Sequence, residues 1–172
     1  FGSMHLANAA LRHMRSGGQG HLIFISSIAG QSALPYYGPY AATKAAQSAM
    51  ARSMRSELKP EGIDVSVVYP IGTRTEFFEV SAKLSGREDP IGNTPSFMVQ
   101  SPRRVARAIV RCLRRPRPEV WPSRIGHMLA VAWTLRPRFC DFCFRGHSRK
   151  ARAMLDQASP DAPSPGASSG PA

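Results

Sequence analysis

A chain of 172 residues, 42% hydrophobic and 20% charged, is long enough to bury the core of one ordinary domain and excludes a wholly disordered polypeptide. The net charge of +12 is confined to residues 103–152, where fourteen Lys/Arg face only Glu119 and Asp141; the remainder is balanced, nine basic against nine acidic. Three cysteines cannot all pair internally, and nothing else suggests a disulfide scaffold, so a reducing, cytoplasmic compartment is expected.

No targeting pattern opens the chain, and a start at Phe1 in place of Met is expected of a fragment or a processed chain. Apolar residues at Met4, Leu6, Ala7, Ala10, Leu11 and Met14 predict a helix over residues 1–15, ended by Gly17, Gly18 and Gly20. His21–Ile25 is an apolar run without alternation, the pattern of a strand buried on both faces of a parallel sheet. After a loop rich in Ser, Gly and Pro, Pro39 sits well in the first turn of a helix that runs to about Leu58 and stops before Pro60 and Gly62. Ile63–Tyr69 reads as a second buried strand, closed by Pro70. Helix, strand, helix, strand with short links is the rhythm of a doubly wound α/β fold with a parallel sheet.

Further on, Thr75–Ala82 has the composition of a short helix, and Ser85–Gln100 reads as a loop or lid. Ser101-Pro102 is an N-cap with proline at the first helical position, opening a helix with Val105, Ala108, Ile109, Cys112 and Leu113 on one face. Glu119–Trp121 reads as a last strand. Pro122–Leu135 is amphipathic; its longest uncharged apolar stretch, Ile125–Leu135, is too short to cross a bilayer. The Ser/Pro/Ala/Gly/Asp run from Ser159 to Ala172 is expected to be disordered.

The chemistry-bearing feature is Tyr40-Ala-Ala-Thr-Lys44. Residues four apart on a helix share a face, so a phenol and an ammonium stand side by side. A phenol is a poor acid–base catalyst at neutral pH, and a neighbouring ammonium favours its phenolate. Alone, such a pair is an ordinary surface couple. It is accompanied, however, by Ser27 at the mouth of the first strand, thirteen residues before Tyr40, and by a turn at Pro70–Thr75 after the second. In an open α/β sheet ligands bind beyond the carboxyl ends of the strands, and a hydroxyl there can donate to a carbonyl oxygen.

Residues 20–78 resemble the short-chain dehydrogenases/reductases, in which a Ser follows the fifth strand, a Tyr-x3-Lys opens the next helix and a Pro-Gly-x-x-x-Thr turn follows the sixth. The resemblance implies a Rossmann-like fold and NAD- or NADP-dependent interconversion of a carbonyl and an alcohol. It implies that Tyr40 exchanges the proton, that Lys44 lowers the Tyr40 pKa and binds the nicotinamide ribose, and that Ser27 polarises the substrate oxygen. Pro70, the backbone at Thr73 and the Thr75 hydroxyl would hold the nicotinamide carboxamide. Homodimers or homotetramers are implied as well, built in the family on the helix after Tyr40 and the one before it.

The sequence departs from the family at several points. Ile71 stands where the turn glycine is expected, with Gly72 adjacent, and Phe24 stands where an Asn is common. The family's helix Asn would fall before Phe1; Asn8 is out of register. The glycine-rich phosphate fingerprint is missing, because Gly17-Gly18-Gln19-Gly20 follows a helix and precedes a strand, the wrong order for a cradle. The expected organisation is therefore a partial dehydrogenase domain at 1–121 with a substrate loop near 76–100, a basic amphipathic segment at 122–157 and a disordered tail at 158–172. A truncated, non-catalytic relative acting through dimer or membrane contacts is the competing reading.

Phe77, Phe78, Val80, Leu84, Ile91, Phe97 and Met98 fall in the loop region and favour an apolar or bulky small-molecule substrate. Cys140-x2-Cys143 with His147 has part of a metal-ligand spacing but no fourth ligand, so no metal is expected. The basic segment is compatible with a solvated helix face, with nucleic acid or with an anionic membrane surface. Trp121, Ile125, Met128, Leu129, Val131, Ala132, Trp133 and Leu135, flanked by Arg124, Arg136 and Arg138, favour the membrane over nucleic acid, which is not expected as a partner. Peripheral attachment is thus one expected localisation.

Overall fold

The computed structural model describes residues 2–32, 35, 37–76, 80, 96–138, 141–142, 144–146, 148–149 and 152. Helix α1 spans Gly2–Ser16 and is followed by strand β1, Gly20–Ile25. Gly18 takes φ +70° in the link, the left-handed conformation that glycine enters without a Cβ penalty. Helix α2, Gly38–Leu58, has Pro39 in its first turn and gives way to a 3-10 turn at Lys59–Glu61; Gly62 at φ +73° releases the chain into β2, Ile63–Val68. The short strands β3 (Gly72–Thr73) and β4 (Val99–Gln100) precede helix α3, Pro102–Arg114. Strand β5, Glu119–Val120, and helix α4, Arg124–Leu135, complete the order.

β1, β2 and β5 form a parallel sheet in that order, with Gly20 opposite Ile63, Ile25 opposite Val68, and Val67 opposite Glu119. This is the α/β, doubly wound arrangement that the alternating pattern predicts. The main core lies where α1 and α2 cover the sheet: Ala7, Leu11, Ala51 and Leu58 pack with Leu22, Phe24, Val65 and Val67. Phe24, at the position where the family commonly has Asn, is an ordinary core residue here.

Several expectations are corrected. β1 is not buried on both faces: Leu22 and Phe24 are covered, but Ile23 is half-buried and Ile25 is exposed. Alternate residues point to opposite faces, and β1 lies at an edge of the described sheet with its helices on one side. On α3 the buried residues are Ala108 and Cys112, whereas Leu113 is exposed, because a two-residue strand offers that helix only a narrow surface. Ser101 occupies the N-cap position without a side-chain capping bond. Within the stretch read as a loop, Ser96–Met98 forms a 3-10 turn and β4 pairs in parallel with β3. Phe77, Phe78, Leu84, Ile91, Cys140, Cys143, His147 and the tail from residue 158 lie outside the described residues.

Trp121 and Trp133 face inward, contrary to the expected membrane-facing set. Trp133 is buried with Ile28, Ile71 and Ala130. Trp121 stacks on Tyr69 at 4.4 Å between ring centroids and on His127 at 4.7 Å. α4 begins two residues after Pro122, where the Ser123 hydroxyl accepts a hydrogen bond from the Gly126 N–H at 3.2 Å.

Candidate active site

The two serines that end β1 have different duties. Ser26 is buried; its hydroxyl donates to the Lys44 carbonyl at 2.7 Å and lies 2.8 Å from the Ser48 hydroxyl, clamping α2 to the strand end. Ser27 is half-buried and N-caps the 3-10 turn Ile28–Gly30, its oxygen accepting from the Ala29 N–H at 3.2 Å. A hydroxyl used only as an acceptor keeps its own proton to donate. Gly30 is required by this approach, since a Cβ there would come within 2.8 Å of the Lys44 carbonyl carbon and 2.9 Å of the Ser26 hydroxyl.

Lys44 reaches over the same strand end. Its Nζ donates to the Ile25 carbonyl at 2.9 Å and to the Gln47 amide oxygen at 3.3 Å, while Gln47 in turn donates to Ser3 at the start of α1. Burial pulls the Lys44 pKa below its ordinary value. The Nζ stands 5.8 Å from the centroid of the half-buried Tyr40 ring, which packs edge-on against Tyr37 at 6.4 Å. Ser27, Tyr40 and Lys44 thus gather at the carboxyl edge of β1.

The Pro70–Thr75 turn continues from the neighbouring strand. The Pro70 carbonyl accepts from the Ile28 N–H at 2.9 Å, which ties the turn to the Ser27 side. Thr73 spends its hydroxyl internally, donating to the Ile71 carbonyl at 2.8 Å and accepting from Gln100 at 3.2 Å. Thr75 is exposed. Two participants were not legible beforehand: Gln47, whose amide links Lys44 to α1, and Gln100, carried on a strand too short to show a period. The Ile71 substitution also has a local explanation: Ile71 is buried under α4, and its Cγ2 occupies the space a Cβ on Gly126 would need.

A cavity of about 390 Å³ lies elsewhere, between α3 and β5, and includes none of these residues. The glycine turn at 17–20 is at the opposite edge of the sheet, where the Gly18 carbonyl abuts Gly62. It connects α1 to β1, as its order in the chain implies. No helix among the described residues is long and apolar enough to cross a membrane.

Residues 1–84 match the short chain dehydrogenase family pattern. The chain is 34% identical over 136 residues to a dehydrogenase/reductase SDR family protein 7-like of Drosophila melanogaster, covering 79% of this chain and 41% of that protein. It is 37% identical over 112 residues to a 3-ketodihydrosphingosine reductase of Dictyostelium discoideum, covering 64% of this chain and 33% of that one. The structure superposes on a short chain dehydrogenase from Burkholderia cenocepacia J2315, solved in complex with NADP, with a TM-score of 0.64 at 23% identity over 80% of this chain and 53% of that chain. The chain therefore spans less than half the length of the two sequence relatives it matches, and over that span it belongs to the short-chain dehydrogenase/reductase family.

Proposed function

We propose that this chain carries the catalytic part of an NAD- or NADP-dependent oxidoreductase that interconverts a carbonyl and an alcohol. The observation that carries the reading is that Lys44 reaches the Ile25 carbonyl at the end of β1, two residues before Ser27, with its Nζ 5.8 Å from the centroid of the Tyr40 ring. Tyr40 hands its phenolic proton to the substrate oxygen, or takes one back in oxidation. Lys44, anchored on the Ile25 carbonyl, holds its ammonium beside the Tyr40 ring. The unspent Ser27 proton is donated to the substrate oxygen as charge develops there. When bound, the nicotinamide supplies or accepts the hydride.

The nicotinamide end of such a cofactor suits the residues present: Tyr40 and Lys44 would bind its ribose, and Pro70, the Thr73 backbone and the Thr75 hydroxyl would hold its carboxamide. Because the Thr73 side chain is already engaged, its backbone is the group left to hold a carboxamide. Among the described residues no glycine-rich strand–turn–helix offers a pyrophosphate cradle. Similarity to a 3-ketodihydrosphingosine reductase adds support for a ketone substrate of apolar character. Val80 and Met98 from the expected lid are apolar and described; Val80 is exposed and Met98 packs beside α4.

The test is turnover by the full encoded protein with NADH or NADPH and a panel of apolar ketones. Tyr40→Phe is expected to lower kcat by about 10²–10⁴-fold while cofactor binding persists. Ordinary turnover in a folded Tyr40→Phe protein overturns the role. A second reading, a non-catalytic relative working through self-association, draws support from the exposed Ile25 of β1 and from the exposed Ala42, Ala45, Ala46 and Ala49 on α2. A full encoded protein that forms homodimers or homotetramers but binds no nicotinamide cofactor would favour it.

A further inference from the structure

We propose that α4 docks the protein onto an anionic lipid surface through Ile125, Met128, Val131 and Leu135, a stripe separate from the residues of the candidate active site. Apolar residues lie on two opposite sides of α4, yet among the described residues only one of those sides is covered. Gly126, Ala130 and Trp133 face the sheet, and Ala130 and Trp133 pack on Ile28 and Ile71. On the opposite side Met128 and Leu135 are each 72% exposed and Ile125 and Val131 each 46%. Their spacing of three, three and four residues makes one continuous row.

The charge around this row decides what covers it. Arg124, Arg136 and Arg138 are all exposed at its two ends, and no acid lies between Glu119 and Asp141. In a two-fold pairing of identical chains the same patch serves both subunits, so one basic rim would meet another without acidic partners. An anionic bilayer answers both needs: its headgroups attract the arginines, and the acyl boundary takes up the apolar row. The tryptophans that sequence pattern alone would assign as interfacial anchors are turned inward, so the insertion is aliphatic. Because α4 rests on Ile28 and Ile71, which directly follow Ser27 and Pro70, docking would seat the candidate catalytic edge near the lipid surface.

Flotation of the 172-residue chain with phosphatidylcholine vesicles, with and without phosphatidylserine, tests this, because aggregated protein does not float. The chain is expected to float with phosphatidylserine-containing vesicles, less with phosphatidylcholine alone, and less as salt is raised. Met128→Ser and Leu135→Ser, both at solvent-exposed positions, should each reduce partitioning about tenfold or more without changing the circular dichroism spectrum. Each arginine near an anionic leaflet is worth about fivefold, so changing Arg124, Arg136 and Arg138 together to Glu should cost at least about a hundredfold. No flotation of the parent chain, or parent-like flotation of the Met128→Ser/Leu135→Ser double variant, overturns the proposal. So does a dimer, seen by light scattering, that the double variant loses while the parent ignores vesicles.

Discussion

Two glycines and one histidine show how much depends on single atoms, at the candidate site and away from it. At Gly30 the turn after Ser27 touches backbone of α2, which cannot retreat as a flexible side chain can. Gly30→Ala should therefore cost about 1–3 kcal/mol in urea unfolding and displace Lys44 enough to lower turnover. Gly126→Ala should destabilise similarly by striking Ile71. Shortening that side chain as well, in Gly126→Ala/Ile71→Ala, should cost less than the two single changes summed, a coupling that a double-mutant cycle reads directly. His21 shares a 2.8 Å hydrogen bond with Ser66, whose hydroxyl donates to the Arg117 carbonyl at 2.6 Å. Ser66 thus accepts from the imidazole N–H, and burial lowers the His21 pKa from its ordinary 6.5 despite Asp64 nearby. On acidification the unfolded chain takes up that proton first, so this group's stability is full above the ordinary pKa and is lost as pH falls through the folded one. His21→Gln should flatten the dependence of the urea midpoint on pH across that window.

Helices and strands of this chain differ in how strongly their sequence commits them. α2 is bounded by Pro39 at its start and by Pro60 and Gly62 beyond its end, and these signals are local, so its limits were readable. Its attachment to β1 was not, because the Ser26–Ser48–Lys44 clamp joins residues 22 positions apart. α4 depends on Ser123, a buried cap whose hydroxyl accepts from Gly126. Ser123→Ala should destabilise the protein by about 1 kcal/mol, and because α4 is thereby loosened from Ile71, protection of its amide protons from exchange should fall first. β3 and β4 carry two residues each and exist because their backbones pair with each other; no periodicity of two can be expressed in so short a run.

For the molecule as a whole, the position of its glycines sets how it meets a dinucleotide. A dinucleotide is gripped mainly by its pyrophosphate, at a glycine-rich turn and a helix N-terminus, and the only glycine cluster near a strand of the described sheet connects α1 to β1 at the wrong edge. Calorimetry on the 172-residue chain should accordingly detect no micromolar binding of NADPH, even though Ser27, Tyr40 and Lys44 are together; micromolar affinity would require a phosphate site not described above.

The alternation of the main helices and strands, the parallel sheet and the positions of the three candidate site residues along them were determined by the sequence itself. Apolar runs, caps and breakers act over a few residues, and Ser27, Tyr40 and Lys44 are fixed to strand and helix ends that those signals define. What only the tertiary structure decided was which side of each element is covered. The apolar pattern of β1 does not reveal that Ile25 stays exposed, because coverage depends on helices brought across from distant parts of the chain. Nor does the pattern of α4 reveal that Trp133 turns inward while Met128 and Leu135 turn out. α4 carries apolar residues on two opposite sides, and the choice between them was made by Ile28 and Ile71, which the fold alone places beneath it.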